Sequence, residues 1–364
     1  MNTTQSFNIR SAQGLYSVDF DATIFELVAN LSLAPHAVVI VDRKVANHYR
    51  ATLEPLFQGR PVYEIDATED EKTLEGCARA LSFLQSNRAS RQTHVIALGG
   101  GIVQDIVTFC THVYFRGLKW TYIPTTLLGM ADSCIGAKAS INFQGFKNQL
   151  GVFHSPTAVR ICLDFLTTLP EVEIISGYGE IVKLHLVGSR VQFDDLVEVL
   201  NKEGWRNSRL AQFVRASLLI KKAIIEVDEF DDGIRRTLNY GHTFGHALEA
   251  ITHHGIPHGL AVAWGIDLVN YIAVQRKLLA QGDFDQIHTF LAAKFHWKLN
   301  MNVSCEELLE ATKRDKKSKG GKLNLVLPNG VGQLELYEHD YDQQLDTWVT
   351  TYLREFNIVI CPAA

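Results

Sequence analysis

Cysteine pairs are missing from this sequence. The six cysteines, Cys77, Cys110, Cys134, Cys162, Cys305 and Cys361, are scattered, with no CxxC and no short-spaced pair. That spacing argues against a cysteine zinc site or a disulfide framework and suits a reducing compartment. An excess of positive charge is missing too. Lys+Arg number 35 against 40 Asp+Glu, a formal net charge of -5, so neither nucleic acid nor an anionic membrane is an expected partner. An anionic substrate must then be met by local basic clusters. No apolar run reads as a membrane span: between His94 and Phe115 only Asp105 is charged, but Gly99, Gly100 and Gly101 interrupt the stretch. The opening MNTTQSFNIR lacks the basic-then-apolar layout of a signal peptide. The closing Cys361-Pro-Ala-Ala has a proline and no upstream basic run, which argues against prenylation. No internal repeat or low-complexity linker is visible. A soluble, cytoplasmic protein is expected.

What is present fits an enzyme of two domains sharing a cleft. The 364 residues exceed one typical domain, and 46% hydrophobic with 21% charged residues is ordinary for a soluble globular enzyme. The first half alternates strand and helix patterns. Ala37 to Asp42, His94 to Leu98 and Trp120 to Pro124 are short apolar runs of the kind buried in a parallel sheet. Thr73 to Gln85 has helical spacing of Leu74, Ala78, Leu81 and Leu84. This alternation predicts a doubly wound α/β domain over residues 1–173. From Ile174 long helical patterns dominate: Ser176 to Val187, Leu210 to Val227, Gly241 to Thr252, Gly259 to Gln275 and Asp283 to Phe295. They predict a helical domain over 174–364, with one hairpin turning at Asn329-Gly330.

Six constellations carry chemistry. Gly99-Gly100-Gly101 follows a strand, where glycines let backbone N–H groups approach a pyrophosphate at a helix start. Asp42, ending an earlier strand, can accept from ribose hydroxyls or cap the next helix. His242 and His246 are four apart on one helix face, and His258 follows a turn-rich stretch that lets the chain fold back. Three converging histidines with a carboxylate suit zinc or a similar divalent ion. Asp132, Lys138, Asn142, Lys147 and Asn148 form a polar island suited to a phosphate or polyol, or simply a solvated loop. Glu180 and Lys183 are three apart, a spacing shared with ordinary surface ion pairs. Asp231 to Asn239 precedes the histidines as a charged turn. Asp315 to Lys322 is a basic loop able to close over an anion.

In order and spacing these strings resemble the 3-dehydroquinate synthases and the wider sugar-phosphate cyclase family. The resemblance runs from Asp42 to Leu327. It rests on Glu69-Asp-Glu-Lys72, Gly99-Gly-Gly-Ile-Val-Gln-Asp105, Phe115-Arg116-Gly117, Ile123-Pro-Thr-Thr126, Asp132-Ser133 with Lys138, and Lys147-Asn148. It continues through Thr168-Leu-Pro, Gly179-Glu180-Ile-Val-Lys183, Leu238-Asn-Tyr-Gly-His-Thr-Phe-Gly-His246, His258-Gly259 and Asp315-Lys-Lys317.

The resemblance implies a Rossmann-like NAD domain followed by an all-α metal and substrate domain, usually in a homodimer. It implies a divalent metal, zinc or cobalt, held by Glu180, His242 and His258. His246, Lys183, Asp132 and Asp231 are then the catalytic set, with His246 serving the phosphate end and proton movement. NAD is implied to lie against Asp42, Glu69, Lys72, Gly100, Gly101, Asp105, Thr125, Thr126 and Thr168. The sugar phosphate is implied to meet Lys138, Lys147, Asn148, Lys221, Arg235, Asn239 and Lys317, with Arg116 lent to the neighbouring subunit. In such enzymes a hydroxyl is oxidised, phosphate is eliminated, the hydride is returned and an intramolecular aldol closes the carbocycle, so NAD is not consumed.

Arg235 with Lys221 favours a substrate bearing a carboxylate, because a guanidinium binds one bidentately, and so favours a heptulosonate. Tyr240-Gly-His-Thr-Phe also differs from the Phe-Gly-His-Trp associated with sedoheptulose cyclases. Five positions depart from the dehydroquinate synthase pattern: Gln104, Ala137 and Ser140 stand for glycines, Asp231 for a glutamate and Leu260 for an acid. They leave open a secondary-metabolism cyclase acting on sedoheptulose 7-phosphate or glucose 6-phosphate. A metal-dependent polyol dehydrogenase, which shares the two-domain plan, is the alternative from another reaction class.

Overall fold

Strands buried on both faces need apolar side chains on both faces, and the three runs read from the sequence are neighbouring strands of one sheet. The computed structural model describes residues 6–31, 36–253, 255–295, 297–298, 302–314, 322–357 and 359–360. In chain order the first strands are β1 (Phe7–Ser11), β2 (Gly14–Phe20), β3 (Ala37–Asp42), β4 (Val62–Ile65), β5 (His94–Gly99), β6 (Lys119–Pro124), β7 (Lys138–Phe143), β8 (Phe146–Phe153) and β9 (Ala158–Ile161). The accompanying helices are α1 (Ile24–Asn30), α2 (Arg43–His48), α3 (Arg50–Phe57), α4 (Leu74–Ser86) and α5 (Gly101–Val113). The main sheet has the order β1-β2-β9-β6-β5-β3-β4, parallel except at the β1–β2 hairpin. From β3 the chain goes to β4 on one side and to β5 on the other. The carboxyl ends of β3 and β5 therefore flank a topological switch point, where open α/β sheets bind ligands. Asp42 and Gly99 are the residues at those two ends.

β7 and β8 pair as a separate antiparallel ribbon, which the mixed polar sequence did not announce. Ala137, just before it, has φ +58, a left-handed conformation that suits the glycine expected there. Ala137→Gly should raise Tm by about 1–2 °C, the relief of strain outweighing glycine's entropic cost. A lower Tm on thermal unfolding would show that the alanine is accommodated without strain.

The chain divides into two compact units. The first comprises Met1–Pro170 with Lys222–Phe230, and the second Glu171–Lys221 with Asp231–Ala364. The change of period at residue 173 lies just inside α6 (Glu171–Gly188). The segment Lys222–Phe230 groups with the first unit through bonds that sequence periodicity cannot register. Arg10 N donates to Glu226 Oε1 at 2.7 Å, Ser11 Oγ to Glu229 Oε1 at 2.6 Å, and Phe230 packs against Phe153.

The second unit is mainly helical: α6, α7 (Arg190–Glu203), α8 (Leu210–Ile225), which runs on into Lys222–Phe230, α9 (His242–Ile251), α10 (His258–Gln275), α11 (Gln281–Lys294), α12 (Cys305–Arg314) and α13 (Gln343–Glu355). Two short strands, β10 (Trp297–Lys298) and β13 (Val359–Ile360), pair in parallel. The hairpin β11 (Leu323–Pro328) and β12 (Leu334–His339) forms where the Asn329-Gly330 turn predicts it. Every residue of α10 from Gly259 to Ala273 is buried, as expected of a helix apolar on all sides. Its neighbours reach it through glycine. A Cβ on Gly259 would lie 1.7 Å from the Ser176 carbonyl oxygen, and one on Gly179 would lie 2.1 Å from the Gly259 carbonyl oxygen. Likewise Gly241, at φ +78, has its carbonyl oxygen 2.0 Å from where a Cβ of Gly265 would sit. Backbone-to-backbone crossings of α6 and α9 with α10 thus fall beside Glu180, His242 and His258. Among the described residues no helix is long and apolar enough to cross a membrane.

Candidate active site

In the second unit Glu180, His242 and His258 meet. Glu180 Oε1 is 3.4 Å from His242 Nε2 and 3.0 Å from His258 Nε2, and one ligand atom from each lies within 4.8 Å of the others. The hydrogen bonds behind the rings fix their tautomers. His242 Nδ1 faces the Tyr240 carbonyl oxygen at 3.2 Å, and His258 Nδ1 faces both Glu249 oxygens at 3.3 Å. Carbonyl and carboxylate oxygens only accept, so each Nδ1 carries a hydrogen, and in its neutral form each ring would present an Nε2 lone pair toward Glu180. Three electron-pair donors pointing at one another is the shell of a cation. Two imidazole nitrogens and a carboxylate oxygen fit zinc or cobalt, and three protein ligands leave a position open for substrate, as in catalytic rather than structural sites.

Charge in the cluster is finely opposed. Burial works to raise the Glu180 carboxyl, but Lys183, then His242 and His258, hold it well below the ordinary carboxylate range. Lys183 Nζ pairs with Glu180 Oε2. This is the three-apart spacing that reads as a surface ion pair, yet both side chains are buried. Burial and the Lys183 charge push His242 down to about 3. Burial pulls His258 down as well, but its bonds to Glu180 and Glu249 win and raise it to about 10. A proton on His258 relieves part of the convergence, whereas a divalent ion satisfies all three donors at once.

Of the other sequence-designated residues of this unit, His246 lies beside the cluster. It lies edge-on to His242 and tilted against His258, its ring centroid 5.2 Å from His242 and 5.8 Å from His258. Lys221 and Arg235 are buried. Asn239 donates from Nδ2 to the Arg236 carbonyl at 3.1 Å, and Asp231 has φ +68. Leu260, where an acid was expected, is buried on α10. Lys317 lies outside the described residues.

The first unit gathers most of the residues assigned to the nucleotide. Gly100 caps α5 with an extended backbone, and a Cβ added at Gly101 would meet nothing within 4 Å. The start of this 13-residue helix is therefore open, with N–H groups available for a phosphate. Thr125 N donates to the Gly99 carbonyl at 3.0 Å, and Thr126 Cγ2 lies 2.9 Å from where a Cβ of Gly100 would sit, placing both threonines beside the glycines. Lys72 Nζ reaches Asp105 Oδ2 at 3.1 Å and Asn148 Oδ1 at 2.8 Å. Glu69 Oε1 accepts from Asn142 at 2.9 Å and lies 3.4 Å from Lys147 Nζ. Glu69, Lys72, Asp105, Lys147 and Asn148 thus form one polar network. Asp42 caps α2 by accepting from Lys44 N at 2.8 Å. Thr168 Oγ1 is 3.0 Å from Tyr49 Oη. Lys138 and Arg116 are exposed, and Arg116 sits in a turn with positive φ at Phe115, Arg116 and Gly117.

Three contributors escaped the sequence reading. Glu249 lies seven residues after His242 on the same face of α9, a spacing that could have revealed it. The Tyr240 carbonyl is a backbone group with no sequence signature. Gln104, which stands where the family pattern has glycine, exchanges hydrogen bonds with Ser133: Nε2 donates to the Ser133 carbonyl and Ser133 Oγ donates to Oε1, both at 2.6 Å. It therefore ties α5 to the turn carrying Asp132. Ser140, another departure, donates its backbone N–H to Asp105 Oδ1 at 3.2 Å.

Comparison with known proteins agrees along the chain. The 3-dehydroquinate synthase N-terminal family matches residues 62–176 and the 3-dehydroquinate synthase C-terminal family residues 177–318. A 3-dehydroquinate synthase of Alkaliphilus metalliredigens is 34% identical over 327 residues, 88% of this chain and 91% of that protein. A solved 2-epi-5-epi-valiolone synthase from Streptomyces hygroscopicus with NAD+ and Zn2+ bound superimposes with TM-score 0.80 at 25% identity, covering 93% of this chain and 97% of that one. A solved 2-deoxy-scyllo-inosose synthase shares the fold, with TM-score 0.84 at 22% identity over 97% of this chain and all of the other. The chain belongs to the 3-dehydroquinate synthase family.

Proposed function

We propose that this chain is a 3-dehydroquinate synthase, converting a heptulosonate 7-phosphate into a carbocycle with loss of phosphate. It uses catalytic NAD and one divalent ion, zinc or cobalt. The observation that carries the reading is the convergence of Glu180, His242 and His258 with both rings held in the ligating tautomer. When bound, NAD accepts and returns a hydride while the ion polarises a substrate hydroxyl.

The chain's own residues bind, orient and move protons. The first unit is the NAD domain. There Gly100 and Gly101 meet the pyrophosphate, Asp42 the ribose, and Glu69, Lys72, Asp105, Thr125, Thr126 and Thr168 the rest of the cofactor. In the second, His246 serves the phosphate end and transfers protons, and Lys183 keeps Glu180 anionic while facing substrate. Arg235 and Lys221 take the substrate carboxylate, which is why a heptulosonate is favoured over sugars that lack one. Lys138, Lys147, Asn148, Asn239 and Lys317 bind the remaining oxygens, and Asp132 and Asp231 complete the catalytic set. The protein works as a cytoplasmic homodimer in the shikimate pathway, with Arg116 presented to the neighbouring subunit's phosphate.

The test is phosphate release from the heptulosonate 7-phosphate, sedoheptulose 7-phosphate and glucose 6-phosphate, with NADH absorbance followed in parallel. The heptulosonate should release phosphate with no net NADH. A chelator should stop the reaction and zinc or cobalt restore it. Turnover of only a carboxylate-free sugar would transfer the chain to secondary metabolism. Accumulating NADH without phosphate would make it a polyol dehydrogenase.

A further inference from the structure

The two histidine ligands are held from behind in different ways. His242 is restrained by a backbone group, the Tyr240 carbonyl. His258 has no such support. It opens α10 after Pro257, which supplies no side-chain cap, and its side chain is 32% exposed against 12% for His242. Its ring is met by Glu249 from α9, whose two oxygens share Nδ1 equally at 3.3 Å.

We infer that Glu249 is the positioning residue of the metal centre: its carboxylate orients the His258 ring and fixes the tautomer that turns Nε2 toward Glu180. The inference rests on the metal reading above and extends it to a residue that does not ligate the ion. A carboxylate behind a ligating imidazole also makes the ring more basic, which strengthens its bond to the ion. His246, Glu249 and His258 themselves form a second trio whose ligand atoms lie within 4.8 Å of one another. An ion bound there through His258 Nδ1 could not coexist with the Nδ1–H···carboxylate bond.

The experiment is zinc affinity of the metal-free full-length protein by chelator competition, with stoichiometry, for wild type, Glu249→Gln and Glu249→Ala. Thermal unfolding is followed with and without zinc. Glu249→Ala should weaken zinc binding by about 10–100-fold. Glu249→Gln, which still accepts but lacks charge, should fall between. One ion per chain is expected throughout, and the variants should lose Tm in the zinc-bound state while the metal-free Tm stays near wild type. A merely structural role would lower both. Wild-type affinity in both variants would overturn the inference, as would two ions per chain in the wild type. A wild type that binds no zinc would overturn the metal reading itself, a result distinct from either.

Discussion

Glu180→Ala is expected to leave a protein that neither holds a divalent ion nor releases phosphate. Glu180 is the one anion among the three donors, and its Oε1 faces both ring nitrogens. Its loss should cost more zinc affinity than the about 10–100-fold that an outer partner contributes. The alanine also removes the carboxylate that pairs with Lys183, whose side chain is 3% exposed. Breaking a buried pair from one side typically destabilises by about 3–5 kcal/mol, so Tm should fall as well. Glu180→Gln keeps the shape and removes only the charge. It separates the two effects: zinc affinity should still collapse while the fold survives. Zinc affinity within about threefold of wild type in the glutamine variant would show that the carboxylate is not a ligand.

Gly259→Ala should be nearly as damaging although it removes no chemical group. Its new methyl would lie 1.7 Å from the Ser176 carbonyl oxygen and 2.6 Å from its carbon, whereas real Cβ atoms essentially never come within 3.0 Å. A helix carbonyl cannot swing aside, so α10 must retreat from α6. That separates His258, adjacent to the glycine, from Glu180. Overpacking of this kind costs about 1–3 kcal/mol, and a displacement near 1 Å at a reacting centre costs about 10²-fold in rate. Gly179→Ala, 2.1 Å from the Gly259 carbonyl oxygen on the same crossing, should reproduce the phenotype. Gly282→Ala, whose Cβ would meet nothing within 4 Å, should be harmless. Calorimetry and kcat of the three variants check this. A Gly259→Ala protein as stable and active as the control would mean the helices do not cross so closely.

These glycines show how the site could be read and where reading stopped. Period and composition placed the apolar strands β3, β5 and β6 and the helix α10, because burial on every side writes itself as an unbroken apolar run. The four-residue spacing of His242 and His246 placed both on one helix face. That Glu180 should reach His258, 78 residues away, is a tertiary fact; only family resemblance, not periodicity, brought them together. The same limit explains Lys183, whose spacing to Glu180 matches a surface pair until the surrounding helices bury it. The ribbon β7–β8 was opaque because its alternation is broken by Lys147, Asn148 and the glycines. Gln104 was visible only as a departure, since its partner Ser133 is 29 residues away.

The most direct measurement is anomalous diffraction at the zinc edge from crystals of zinc-loaded protein. One strong peak per chain is predicted, about 2.0–2.2 Å from Glu180 Oε1, His242 Nε2 and His258 Nε2. No peak among those three side chains, or a peak bound by other residues while these point apart, would contradict the account.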